Sequence, residues 1–409
     1  MAIYHVPVSS EPLEGVLLDG RYCVEAKIAT GGMSTVYRGL DVRLDRPVAV
    51  KVMDSCYSGD DQFLTRFRLE ARAVARLTDP GLVAVYDQGI DASHPFLVME
   101  LVEGGTLREL LAERGPMPPH AVAAALRPVL GGLAVAHRAG LVHRDVKPEN
   151  VLISDEGEVK IADFGLVRAL AEAGITSTSV ILGTAAYLSP EQVSSGDAGP
   201  SSDVYSAGIL AYELLTGVTP FTGDTALAVA YQRMDSDVPP PSTVINGVPS
   251  QFDKLVLHST ARDPSDRYAD AQDMGADLDA IADELALPDF RVPAPHNSAQ
   301  HASASIYHSR IHEQETTDQR RGPPVGRPSH QHTRQLTPDP TGWQPTQPDP
   351  ENEYQGACGQ FAGIEMSEFA LARHRARRML LIWLSVVLIV TGLTAAGAWT
   401  IGSNLSSLI

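Results

Sequence analysis

Apolar and polar positions alternate early in the chain and take helical spacing further on. From Arg21 the pattern predicts strands: Tyr22 to Ala29, a Gly-rich turn, Val36-Tyr37-Arg38, and then Val48-Ala49-Val50-Lys51. Gln62 to Leu77 mixes charged and apolar residues at helical spacing and predicts a helix. Leu82 to Tyr86 and Phe96 to Met99 predict two more strands, split by a turn from Asp91 to Pro95. Thr106 to Glu113 and His120 to Ala139 predict helices, the second long and Ala-rich. Two short strands, Val151-Leu152-Ile153 and Val159-Lys160-Ile161, flank a Glu156-Gly157 turn, and Asp203-Val204-Tyr205-Ser206-Ala207-Gly208 opens an apolar helix.

Near Pro288 the pattern is lost. From there to about Ala370 the chain is rich in Pro, His, Gln, Ser and Thr and poor in aliphatics. Such a segment buries too little apolar surface to offset its ordering entropy, so disorder is expected. His296, His301, His330 and His332 show no regular metal spacing and read as scattered linker histidines. Met379 to Trp399 is then uncharged and mostly apolar. A helix of that length rises about 30 Å, the thickness of a bilayer core. Arg373, Arg375, Arg377 and Arg378 precede it, and Thr400 to Ile409 carries no charged side chain. The positive-inside rule therefore places the N-terminal bulk in the cytoplasm and makes this a single-pass protein of the cell membrane. Gly392 to Ala398 offers small residues suited to close helix contact, so a homodimer is an open expectation.

Charge and cysteine usage narrow the class. The 409 residues carry a formal net charge of -18 with a pI near 5.1, which argues against nucleic acid as a partner. Cys23, Cys56 and Cys358 lie far apart and make neither a metal spacing nor a disulfide framework, so a reducing cytosol is the default. The first ten residues lack a basic start and a long apolar run, so no signal peptide is expected.

The candidate chemistry sits in His143-Arg144-Asp145-Val146-Lys147-Pro148-Glu149-Asn150, followed by Asp163-Phe164-Gly165. The spacing H-R-D-x-K-x-x-N plus D-F-G suits phosphoryl transfer. Asp145 is the candidate acceptor of a proton from an attacking hydroxyl, and Lys147 the cation for the γ-phosphate. Asn150 and Asp163 are candidate oxygen ligands for a hard cation such as Mg²⁺. Upstream, Thr30-Gly31-Gly32-Met33-Ser34-Thr35 lets backbone N–H groups approach phosphates. Lys51 closes an apolar strand, where a lysine otherwise snorkels to solvent.

Both motifs resemble the catalytic and metal-binding loops of the eukaryotic-type (Hanks-type) protein kinases, and Lys147 resembles the serine/threonine branch. Val48-Ala49-Val50-Lys51 is similar to the V-A-I-K of the third kinase strand. The resemblance implies that Lys51 binds the α- and β-phosphates with Glu70 as its partner. The Gly-rich loop departs from G-x-G-x-x-G-x-V at Ala29 and Ser34 and keeps Gly31 and Val36. Glu100-Leu101-Val102-Glu103-Gly104-Gly105 resembles the hinge, where the backbone of Glu100 and Val102 would bond adenine. Met99 would be the gatekeeper, and Ile28, Val36, Ala49 and Leu152 would sandwich the base; taken alone, such apolar residues are ordinary core. Ser189-Pro190-Glu191 is a variant of A-P-E, with Glu191 expected to pair with Arg267. Arg144 implies control by a phosphorylated loop residue, with Thr176 and Thr178 as candidates before Ser177 and Ser179.

The resemblance covers about residues 18–287 and implies an α+β, bilobal kinase fold: a small β-rich N-lobe and a larger helical C-lobe. Residues 1–17 are a lead-in, 288–378 a disordered juxtamembrane linker, 379–399 a transmembrane helix and 400–409 a short extracytoplasmic tail. The arrangement resembles the actinobacterial receptor-type serine/threonine kinases. The implied function is transfer of the ATP γ-phosphate to Ser or Thr hydroxyls of proteins, with Mg²⁺ or Mn²⁺, and autophosphorylation. Two other readings stay open: a pseudokinase acting as a membrane scaffold, supported by Ala29 and Ser34, and a passive adaptor using the Pro-rich linker.

Overall fold

Strand β4 (Arg46–Met53) is buried from Val48 to Met53, as a central strand must be. Period-two alternation sorts its side chains. Val48, Val50 and Val52 join one apolar cluster, while Ala49 and Met53 join another on the opposite face. Lys51 falls on the Ala49 face by the same alternation. In the computed structural model, residues 13–32, 34–92, 94–164, 185–223 and 225–307 are described, with two short strands near 360. Thr176, Thr178 and Met379–Trp399 lie outside the described residues.

The N-terminal sheet has the order β1-β2-β3-β4-β6-β5: β1 (Leu17–Leu18), β2 (Tyr22–Thr30), β3 (Ser34–Asp41), β4, β6 (His94–Met99) and β5 (Val85–Asp91). All its pairings are antiparallel. Helix α1 (Asp61–Val74) covers one face, capped by the Asp60 carboxylate, which accepts from the N–H groups of Gln62 and Phe63. Its buried stripe is Phe63, Leu64, Phe67 and Ala71. The sequence predicts this helix to Leu77. It stops at Val74 because the chain tightens, with Leu77 N–H bonding the Val74 carbonyl at 2.9 Å, and Leu77 packs on the C-terminal core instead.

The run Leu82 to Tyr86 is divided between the lobes. Leu82 bridges Ile161 in parallel and Val83 N–H reaches the Ile161 carbonyl at 3.0 Å, so only Val85 onward joins the N-terminal sheet. A second sheet, β7 (Gly104–Thr106), β8 (Val151–Ser154) and β9 (Val159–Ile161), caps the helical lobe. Helix α2 (Leu107–Arg114) starts with a capping box between Thr106 and Glu109. Helix α3 (Pro119–Arg138) is long and apolar enough to span a membrane by length and composition, yet it is mostly buried and serves as the core helix. Of the helices that follow, α4 (Pro190–Ser194), α5 (Pro200–Thr216), α6 (Ala226–Asp235), α7 (Ser250–Ser259) and α8 (Ala271–Glu284), α5 and α8 pack on α3, α7 packs on both of these, and α4 packs on α6. Helix α5 begins at Pro200, one turn before Asp203, since proline suits the first helical position.

The expectation of disorder from Pro288 does not hold for 288–307. Val292 is 1% exposed and joins the C-terminal core, and residues 299–307 are helical. Composition missed this because few residues of the segment are apolar, and those few are placed against complementary surface. Far along the chain, Gln360–Phe361 pairs antiparallel with Ile364–Glu365.

Glu191 and Arg267 form the expected pair, bidentate at 2.9 Å for both bonds, with no exposure of the Arg267 side chain. Burial pushes the Glu191 carboxyl up, but hydrogen bonds from Arg267 and Ser202 outweigh it and hold the group below its usual range. The pair's contribution is complete above the ordinary glutamate value of about 4.3 and is lost as pH falls through the lowered folded value. Arg267→Met should destabilise the chain by about 3–5 kcal/mol, read as a lower urea midpoint. Glu191→Gln should flatten the acid limb of the stability curve, and an unchanged limb would contradict this account.

Candidate active site

The stretch from His143 to Phe164 is arranged by its own hydrogen bonds. Asp145 N–H donates to His143 Nδ1 at 3.2 Å, so His143 carries its proton on Nε2, which lies 2.8 Å from the Ala162 carbonyl. The His143 ring also meets Phe164 edge-on at 4.4 Å between centroids. Ala162 N–H in turn donates to the Asn150 carbonyl at 2.8 Å. The two motifs, separated in sequence by a hairpin, are thereby fastened side by side. Arg144 and Asp163 both adopt left-handed backbone conformations, at φ 69° and 68°, a cost that this packing must offset.

Asp145 Oδ2 receives Lys147 Nζ at 2.8 Å and Asn150 Nδ2 at 3.0 Å, and Asn150 Nδ2 also donates to the Asp145 carbonyl at 2.7 Å. The Asn150 amide N–H groups are thus spent on Asp145. Its side-chain oxygen and the Asp163 carboxylate are the oxygen donors that remain for a hard cation. Among the described residues no three His, Cys, Asp or Glu side chains converge on a metal position. Mg²⁺ takes one or two protein oxygens plus phosphate oxygens and water, so Asn150 and Asp163 are chemically suited to hold it.

Lys51 Nζ lies 2.8 Å from Asp163 Oδ1, joining the sheet lobe to the helical lobe. Burial pushes the Asp163 carboxyl up, but the Lys51 ammonium outweighs it and holds the group well below its usual range. Here one expectation fails: Lys51 pairs with Asp163 and not with Glu70. Glu70 is half-buried on α1 and makes interactions of its own. The left-handed backbone at Asp163 brings a carboxylate to the buried ammonium, and that nearer acid takes it.

The apolar candidates divide. Ala49, Val102 and Met99 lie in one buried cluster, with Val36 and Leu152 packed against it. Ile28 is half-buried and Ala29 exposed near the tip of β2, outside that cluster. Gly31 N–H bonds the Ser34 carbonyl at 2.8 Å, and Ala29 pairs with Val36, so the hairpin closes despite the two departures in its loop. Glu100 differs from expectation in detail. Its N–H is taken by the Ala84 carbonyl at 2.8 Å and its carboxylate by Lys160 at 2.8 Å, so only its carbonyl faces the role expected of it.

The pattern points to Asp203 as no more than the start of a helix, yet it holds the site. Its carboxylate accepts from His143 N–H at 2.7 Å and Arg144 N–H at 2.8 Å, with His137 Nε2 at 2.9 Å. An acid near the start of an otherwise apolar helix was the available signal. A second unanticipated group surrounds Arg108. It reaches Glu213 at 2.7 Å, the Tyr187 hydroxyl at 2.6 Å and Glu149 at 2.8 Å, and the Tyr187 hydroxyl donates to Glu213. Burial pushes the Tyr187 hydroxyl far above its ordinary range, so it stays protonated.

Comparison with known proteins fits this geometry. The protein kinase domain family matches residues 22–277. Serine/threonine-protein kinase PknL of Mycobacterium tuberculosis is 70% identical over 399 residues, 98% of both chains. Serine/threonine-protein kinase PrkC of Bacillus subtilis is 40% identical over 279 residues, covering 68% of this chain and 43% of that protein. The crystal structure of the Mycobacterium tuberculosis PknI kinase domain aligns with a TM-score of 0.53 at 25% identity, covering 68% of this chain and 99% of that one.

Asp203→Ala should leave two buried donors and one part-buried donor without their acceptor and cost about 3 kcal/mol or more. It should also speed amide exchange at residues 143–145 before it affects β2–β4. Protection at 143–145 equal to that of the unaltered protein would contradict the anchoring role.

Proposed function

The chain belongs to the protein kinase family and is a serine/threonine protein kinase, and on that premise we propose a membrane-anchored enzyme that phosphorylates proteins and its own activation loop. The observation that supports this reading is that Lys51 of β4 pairs with Asp163, while Asp145, Lys147 and Asn150 are bonded to one another and the Lys147 charge also acts on Asp163. Bound ATP with Mg²⁺ supplies the phosphoryl group and neutralises its developing charge.

The chain's own residues do the rest. Asp145 orients the incoming Ser or Thr hydroxyl and accepts its proton. Lys147 and Asn150 share one oxygen of that carboxylate, which fixes its direction before substrate arrives. Asn150 and Asp163 would hold the cation. Lys51 steadies the nucleotide phosphates and Lys147 offsets charge on the group in transfer. The Val102 backbone and the Glu100 carbonyl receive the base, with Ala49, Val36 and Leu152 about it. A scaffold without catalysis finds support only in Ala29 and Ser34, and the β2–β3 hairpin closes with both.

Phosphorylation at Thr176 or Thr178 is proposed to order the loop through Arg144. The helix Met379–Trp399 is proposed to anchor the enzyme with its kinase domain in the cytoplasm and to raise the concentration of kinase domains at the surface.

Lys51→Met should lower phosphorylation by about 10²-fold or more while the fold persists. Mapping of phosphate incorporated from labelled ATP should place it at Thr176 and Thr178 in the unaltered protein. Equal incorporation by protein and variant would overturn the assignment. Deleting 379–409 should move the enzyme from the membrane pellet to the soluble fraction, and a variant that still pelleted would remove the anchor.

A further inference from the structure

Residues 288–307 lie beyond the span matched by the protein kinase domain, yet they belong to the same compact unit. Their contacts follow a path. Val292 is buried in the C-terminal core. His296 then meets Glu113 on α2, through its N–H at 2.8 Å and its ring Nδ1 at 2.7 Å. The Ser298 hydroxyl donates to the Gly104 carbonyl, and Ala299 N–H donates to Glu109 at 2.9 Å. His301 Nε2 lies 2.9 Å from Asp155 on the β8–β9 turn. Ser303 is 1% exposed. At the far end Tyr307 reaches the other lobe: its ring lies 5.8 Å from the Arg38 guanidinium on β3, and burial, with Glu25 of β2 nearby, pushes its hydroxyl up.

The body is shaped for this segment. A Cβ on Gly105 would lie 2.4 Å from Pro295 Cγ and 2.8 Å from Ser298 Cβ. A Cβ on Gly157 would lie 2.4 Å from Arg291 Cγ. Neither glycine has room for a side chain while the segment is docked. Gly104 and Gly105 directly follow Leu101-Val102-Glu103, the connection between lobes, and Arg38 itself holds Glu103 at 3.0 Å and Glu25 at 3.7 Å.

We infer that residues 288–307 form a clasp across the back of the interlobe connection, which resists opening of the cleft and so sets nucleotide exchange. One end is fixed in the helical lobe and the other on β2 and β3, so any rotation about 101–103 must break the Tyr307 contacts or bend the helical run 299–307. The inference rests on the kinase reading for its ATP readout and not for its exchange readout.

The test uses the full chain in detergent micelles. Tyr307→Ala should release only the N-lobe end. Amide exchange in 101–106 and 299–307 should rise about fivefold or more while α8 keeps its protection. KM for ATP should rise about threefold without loss of kcat, since a looser cleft weakens nucleotide retention. Ser298→Arg, which cannot fit against Gly105, should give the same pattern with larger exposure of 299–307. If it also exposes α8, Tyr307→Ala alone decides. The inference is overturned if Tyr307→Ala leaves 299–307 protected. It is equally overturned if 299–307 opens while 101–106 and the KM for ATP stay unchanged. An inactive protein with the predicted exchange pattern would instead count against the kinase reading and leave the clasp standing.

Discussion

The carboxylate of Asp203 is fully buried and spends itself on two consecutive backbone N–H groups and one imidazole. A charge so placed is tolerable only when every lone pair is met by a donor, and here the donors belong to the loop that carries the chemistry. Helix α5 is thus a rigid post, and the loop from His143 to Asn150 hangs from it. Arg144 can hold a left-handed backbone because its N–H and carbonyl are both bonded, to Asp203 and Gln192. From that post the order passes through His143 to Ala162 and on to Asp163 and Phe164.

The second constraint is that the cleft has walls from two separate cores. Ala49, Val102 and Met99 belong to the core beneath α1, whereas Val151, Ile153 and Ile161 belong to the helical lobe. Leu152 packs with the first while its neighbours Val151 and Ile153 pack with the second, as strand alternation requires. Among the described residues the polar contacts between the lobes and their connection include Lys51 to Asp163 in the site, Val83 and Gly81 to Ile161, Lys160 to Glu100, and Tyr307 to Arg38.

Much of this was readable from one dimension. Period-two alternation put Lys51 beside Ala49, and the loop spacing put Asp145, Lys147 and Asn150 together, because local backbone geometry fixes where residues two to five apart must go; Asp163 followed from the resemblance. Strands β2, β3, β4, β6, β8 and β9, helices α1 and α3 and the Glu191–Arg267 pair followed from pattern and resemblance, whereas β1, β7 and most of β5 did not. The misreadings have a common source. Leu82 to Ala84 looks like any strand, but which sheet it joins depends on Ile161, far along the chain. Glu70 and Asp163 are both acids, and only the backbone turn at Asp163 decides which reaches Lys51.

What the sequence by itself determined is the set of groups and their local order: a phosphoryl-transfer loop, a lysine on a buried strand, and a composition that changes at Pro288. Only the tertiary structure decided how those groups are held. A helix that reads as plain core carries at Asp203 the acceptor for the catalytic loop, and a segment that reads as disordered bridges the lobes. The reason is the same in both cases. Polar residues such as Asp203, Ser298 and His301 show their worth only against partners tens to hundreds of residues away. Pattern analysis weighs a residue by its neighbours along the chain, and these are held by neighbours in space.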